Sequence, residues 1–187
     1  MASAVRELLT EVGYARLIMA EVAARAGVGK AAIYRRHATK QGMIFDVLLP
    51  DQFLAVPPDR GSLHADLSAV LAEIADSMAS PPQGTVPGLL ADIHAYPALR
   101  DRFAEKYLEA QRQTLTEILD RAAARGELTT RPDPVALNAL LVGPVLAWLF
   151  LLPESPEQLP VLNSVFLDAT LALTGTRSPG APDDSPR

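Results

Sequence analysis

The sequence predicts an all-α protein, and three observations carry that reading. Apolar residues recur at helical spacing: Val5, Leu8, Leu9 and Val12 follow i, i+3, i+4 and i+7, and Leu63, Leu67, Val70, Leu71, Ile74 and Met78 form a longer stripe. Sixteen prolines punctuate the chain, most of them between such segments, at the first residue of one or in the C-terminal tail. No stretch alternates apolar and polar residues between turn signals as a half-buried strand does.

Helices are therefore expected near 2–12, 19–26, 30–36, 40–54, 63–79, 87–95, 98–125, 134–152 and 156–174. Gly13 should end the first, because glycine accepts the left-handed conformation past a helix C-terminus. Residues 98–125 form the longest uninterrupted segment, closed by Arg125-Gly126, and would span roughly 40 Å at the helical rise. The most apolar run, ALLVGPVLAWLFLL at 139–152, is shorter than the ~20 residues that cross a bilayer and reads as a buried helix. Pro144 inside it removes one helical hydrogen bond and should kink it. Residues 176–187, TRSPGAPDDSPR, have the composition of a disordered tail. The first four helices make a small head, residues 1–46, and the last five a helical body, residues 47–175.

Composition narrows the function. Of 187 residues 49% are hydrophobic, enough for a substantial core, and none is cysteine, which removes disulfides, thiolate zinc sites and thiol nucleophiles and favours a reducing, cytoplasmic setting. His64 and His94 are lone imidazoles without metal-ligand spacing. Asp92 and His94, at i and i+2, point to different faces of a helix. There is no phosphate-cradling glycine loop and no nucleophile with a base, so the sequence implies neither an enzyme nor a cofactor or metal. The net charge of −5 hides an asymmetry. Residues 1–45 hold seven basic and three acidic side chains, +4, which leaves −9 for the remainder. A basic head on an acidic body suggests that only the head meets a polyanion, although chance clustering gives the same sums.

The stretch VAARAGVGKAAIYRRHATK, Val22 to Lys40, holds two short helical patterns with only Gly27, Val28 and Gly29 between them. That is the spacing of a helix-turn-helix, whose second helix can enter the DNA major groove. Val22, Ala23 and Ala26 should face inward, Val28 should fill the turn and Ile33 should anchor the second helix. Gly29, Lys30, Ala32, Tyr34 and Arg35 are then left to face DNA, with ammonium, phenol and guanidinium groups suited to phosphates and base edges. Tyr34 also suits a packing role with a solvated hydroxyl, and Arg36 reads as a solvated surface charge.

The segment GYARLIMAEVAARAGVGKAAIYRRHATKQGMIFDVLL, with Gly13-Tyr14, Gly29-Lys30, Ile33-Tyr34-Arg35 and Thr39-Lys40, resembles the N-terminal domain of the TetR (tetracycline-repressor-like) family. The body, with Gly143-Pro144 in an apolar penultimate helix, is similar to a TetR-type C-terminal domain. The resemblance implies a transcriptional regulator, by family habit a repressor, on double-stranded DNA with a palindromic operator. It implies that Lys30, Tyr34, Arg35 and Lys40 contact phosphates while the face from Gly29 to Ala32, with Ala31, approaches bases, and it adds His37 and Thr39 to the DNA-facing set. The sequence departs from the family pattern at Ile18, where Thr usually caps the second helix, at Ala32, where Thr is common, and at His37-Ala38, where an aromatic residue and Pro are common.

For the body the resemblance implies a homodimer through the last two helices and a small-molecule effector. The penultimate helix is apolar almost all round, as a central or shared helix is. Met78, Leu89, Ile93, Tyr96, Phe103, Tyr107 and Trp148 could line an apolar cavity, with Gln111 as its orienting group. The same side chains suit an ordinary core, and a body that binds a protein partner or nothing is the alternative. The helix at 40–54 would be the lever between head and body.

Overall fold

A computed structural model of the protein describes residues 1–49, 57–152 and 156–173. Those residues are helical almost throughout, with no strand among them. The chain divides into two compact units, Met1–Ala55 with Asp76–Ala110 and Val56–Ala75 with Gln111–Arg187.

In the first unit, α1 (Ala2–Arg16) packs on α2 (Met19–Arg25) and α4 (Lys40–Leu48), and α2 packs on α3 (Lys30–Arg36). The stripe read from the sequence is the buried one: Val5, Leu8 and Leu9 meet Val22, Ala23, Ile33, Met43, Ile44 and Val47 in one core. Gly13 leaves helical geometry at φ 77°, and the last residues of α1 continue beyond that break. Phe45 faces away from the head core into a second cluster. It meets Leu89 and Ile93 of α6 (Thr85–Ala95) and Leu99 of α7 (Pro97–Phe103). Two faces of α4 are thus buried, and α6 and α7 group with the head helices. Of the expected helix 40–54, α4 ends at Leu48, and residues 50–54 lie outside the described residues, as does the tail at 176–187.

The segment expected as one helix over 98–125 is helical as far as Ala124 but not α-helical throughout. After α7 comes a π-helical turn, Ala104–Leu108, and then α8 (Glu109–Ala124). A π turn widens the backbone by one residue yet keeps the chain helical, so the hydrophobic pattern does not reveal it. Beside it, the rings of Phe103 and Tyr107 stack with centroids 5.0 Å apart.

The second unit holds the start of α5 (Leu63–Ala79), most of α8, α9 (Pro134–Phe150) and α10 (Leu159–Leu173). Asp133 caps α9 by accepting the Ala136 N–H at 2.8 Å, and α9 continues through Pro144 as one helix. Asp66, fully buried, accepts the Arg60 N–H at 2.5 Å and lies 3.5 Å from Arg125 and 3.9 Å from Arg121. Glu127 accepts the Leu63 N–H at 2.6 Å and the Arg125 Nε–H at 2.5 Å. Burial pushes the Glu127 carboxyl up, but Arg125 and the Leu63 N–H outweigh it and hold it below the usual range. This network fastens the start of α5 to the end of α8. Among the described residues, no helix is long and apolar enough to cross a membrane.

Candidate nucleic-acid interface

The turn between α2 and α3 is built from backbone. Gly27 sits at φ 65°, its N–H donates to the Ala24 carbonyl at 3.2 Å, and the Val28 N–H donates to the Ala23 carbonyl at 3.0 Å. That pair is the helix-ending motif which asks for glycine at the left-handed position. Val28 was expected to fill the turn with its side chain. Instead it is 41% exposed, because the turn is closed by its amide. Gly29 then opens α3, with Ala32 N–H donating to its carbonyl at 2.9 Å.

Ile33 is the one fully buried side chain of α3. Gly29, Lys30, Ala31, Tyr34 and Arg35 are exposed, and Ala32 is half-buried. Tyr34, at 53% exposure, belongs to the surface rather than to the packing.

The seven basic residues of the head divide sharply. Arg25 forms a two-pronged pair with Glu11, 2.7 Å at each prong, and reaches Glu7 at 3.4 Å. Hydrogen bonds from Arg25 hold the Glu11 carboxyl below its usual range, and those from Ser3 and then Arg25 do the same for Glu7. Arg6 donates to the Val47 carbonyl at 3.1 Å and Arg16 to the Val12 carbonyl at 2.9 Å. Lys40 donates to the carbonyls of Tyr14 and Ala15, both at 3.1 Å, and lies 5.2 Å from the Tyr14 ring centre. Lys30, Arg35 and Arg36, all on α3, make no such contact among the described residues.

Three residues expected to face DNA are engaged elsewhere. Lys40 is drawn to carbonyls that α1 leaves unpaired at its end. The His37 side chain is only 9% exposed and points at Asp46, with Nδ1 3.1 Å from the carboxylate. The Thr39 hydroxyl caps α4 by accepting the Gly42 N–H at 3.1 Å. Ile18, at the N-cap of α2, makes no side-chain cap, as the sequence implied.

The residues proposed to line a cavity fall in different places. In the first unit Leu89, Ile93 and Tyr107 are buried, Met78 and Phe103 are half-buried, and Tyr96 is exposed at the end of α6. Tyr96 is therefore on the surface rather than in an interior lining. In the second unit Trp148 is half-buried, while Gln111 is fully buried with both carboxamide atoms unpartnered among the described residues.

Residues 3–47 match the model for bacterial regulatory proteins of the tetR family, and residues 57–161 match that for the tetracyclin repressor-like C-terminal domain. The chain belongs to the TetR family. It is a DNA-binding transcriptional regulator, in a family of regulators rather than enzymes. An HTH-type transcriptional regulator of Mycobacterium tuberculosis is 30% identical over 174 residues, 92% of this chain and 85% of that protein. The regulator AqdR of Rhodococcus erythropolis is 31% identical over 126 residues, 67% of this chain and 60% of AqdR. Among solved structures, Salmonella enterica GusR superposes with a TM-score of 0.70 at 17% identity, covering 92% of each chain. Bacillus subtilis FadR in complex with stearoyl-CoA gives 0.67 at 18% identity, covering 91% of this chain and 96% of FadR.

Within this TetR-family chain, sequence reasoning missed the residues that support the interface from behind. Tyr14 donates its hydroxyl to Asp92 at 2.6 Å, and its ring fills the space over Gly88, where a Cβ would come within 2.5 Å of it. Burial, and next the bond to Asp92, push the Tyr14 hydroxyl well above the ordinary phenol range. Gly88 carries no local turn signal that would have disclosed this, because its partner is distant in sequence.

Proposed function

We propose that this regulator is a dimeric repressor that works in the cytoplasm and leaves a roughly palindromic operator when a mostly apolar small molecule binds its body. The observation that carries the DNA half is the division of head cations: the three with no partner among the described residues share one short helix. The dimer is supported by exposed apolar side chains on the last two helices, including Val135, Val161 and Val165, in a unit where α9 has no charged residue. A two-fold dimer would set half-sites about one helical turn or a little more apart.

The effector half is supported by Gln111, whose buried carboxamide has no hydrogen-bond partner among the described residues and offers two donors and an acceptor. The same fold has been solved with small molecules bound, stearoyl-CoA in FadR and triclosan in SmeT. An effector weakens DNA binding only by preferring the form that does not fit the operator, and such coupling is commonly about 5- to 150-fold. The test is native mass spectrometry of the purified protein, followed by operator titration with Nile red, a neutral apolar dye, present and absent. We expect twice the 20.0 kDa chain mass and weaker operator binding as the dye binds. A monomer at micromolar concentration would remove the dimer. A body that takes up neither dye nor co-purifying molecule would remove the effector.

A further inference from the structure

We propose that Asp46 is the positioning residue of the recognition helix α3, and that it sets the angle of that helix from α7. Two turns of helix held by one buried side chain, Ile33, can pivot about that point, so a second fixed point is needed. The structure supplies it at His37, where α3 ends: its N–H closes the helix on the Ile33 carbonyl at 2.9 Å, and its buried ring turns inward, with Nδ1 3.1 Å from Asp46 Oδ2 in close contact but not aligned as a hydrogen bond. The other oxygen of Asp46 accepts from the Arg102 guanidinium of α7. Arg102 is itself seated along α4, 5.2 Å from the Phe45 ring centre and against Gly42, where a Cβ would lie 3.6 Å from Nη1. Phe45 in turn meets Phe103 edge to face, with centroids 6.3 Å apart. One carboxylate therefore joins the end of α3 to α7, over a sequence distance of 56 residues between Asp46 and Arg102.

Phosphate contacts by Lys30 and Arg35 tolerate a tilted helix, because long cationic side chains follow a phosphate wherever it lies. Base-edge hydrogen bonds do not, since they need fixed direction. Loosening this link should thus cost discrimination rather than general DNA affinity. It acts on DNA binding itself and does not depend on any effector.

The experiment measures affinity of the full-length protein for an operator selected in vitro and for a scrambled duplex, at one salt concentration, for Asp46→Asn, Arg102→Gln and His37→Asn. We expect each variant to lose about tenfold on the operator and less than about twofold on the scrambled duplex. His37→Asn combined with Asp46→Asn should add little, because both break one connection. Arg102→Gln, whose side chain is a third exposed, carries the test if Asp46→Asn does not fold. Faster amide exchange in α3 of Arg102→Gln would show the pivot directly. Unchanged operator affinity in folded variants, equal losses on both duplexes, or full additivity of the pair would each overturn the proposal.

Discussion

In α3 three of seven side chains are cationic, while in α9 none of seventeen carries a charge. The two helices also differ in how far their own unit satisfies them. Elsewhere in the second unit, charge is largely spent internally: Asp66 is shared by Arg121 and Arg125, Arg125 also holds Glu127, and Arg131 pairs with Asp120 at 2.7 Å. Along α10 its surface shows large apolar side chains, Val161 71% and Val165 56% exposed, beside Ser164 and an Asp168 that lies 3.3 Å from His64. In the head the reverse holds, since the apolar stripes close a core and the leftover surface of α3 is cationic. A protein reveals its partners by what it leaves unpaired. Unmatched cations suit a polyanion, and an unmatched apolar face suits a surface of the same kind.

The comparison can be broken most severely at the apolar end. Val161→Asp combined with Val165→Asp should convert a dimer into single chains of 20.0 kDa in sedimentation. Because two heads joined in one molecule bind by avidity, operator affinity should then fall by roughly 1,000-fold. Dimers that persist at micromolar concentration would place the interface elsewhere.

A next test removes charge that is spent internally. Asp66→Ala leaves Arg121 and Arg125 without their buried partner, and thermal or urea unfolding should show a loss of about 3 kcal/mol. A loss below about 1 kcal/mol would mean that solvent already screens the network.

Charge that is not spent should behave differently. Lys30→Ala with Arg35→Ala should leave stability unchanged and weaken the operator complex roughly 100-fold. With six free cations in two heads, log affinity against log salt should have a slope of roughly −5, which the double variant should reduce to roughly −2. An unchanged slope would show that these side chains do not meet phosphates.

The smallest expected effect concerns the Tyr14 hydroxyl. Its proton is held more tightly in the folded than in the unfolded chain, so its contribution is fully present below the unfolded pKa of about 10 and fades as pH rises above that. The urea midpoint of the wild type should therefore drop more between about pH 9 and pH 11 than that of Tyr14→Phe. Parallel curves for the two proteins would remove the hydroxyl–carboxylate bond from the stability of the first unit.

The sequence by itself determined the fold class, the helix-turn-helix and most helix positions. Those properties are local: an apolar stripe at helical spacing, a glycine at a left-handed turn and a threonine cap act within a few residues, so Leu63–Ala79 and Lys30–Arg36 could be read directly. The recognition face followed from the same spacing, because burying Ile33 leaves Lys30, Tyr34 and Arg35 outside. Only the tertiary structure decided which cations stay free. Lys40 and His37 look as available as Lys30 in the sequence, but each lies beside a group on another helix, the last carbonyls of α1 for Lys40 and, for His37, the Asp46 carboxylate of α4 that is joined to the distant Arg102. The same applies to the π turn at Ala104–Leu108, to Tyr14 over Gly88 and to the orphaned Gln111. Whether a polar group is satisfied depends on what lies within about 3 Å of it. Residues far apart along the chain are brought that close only when the helices pack.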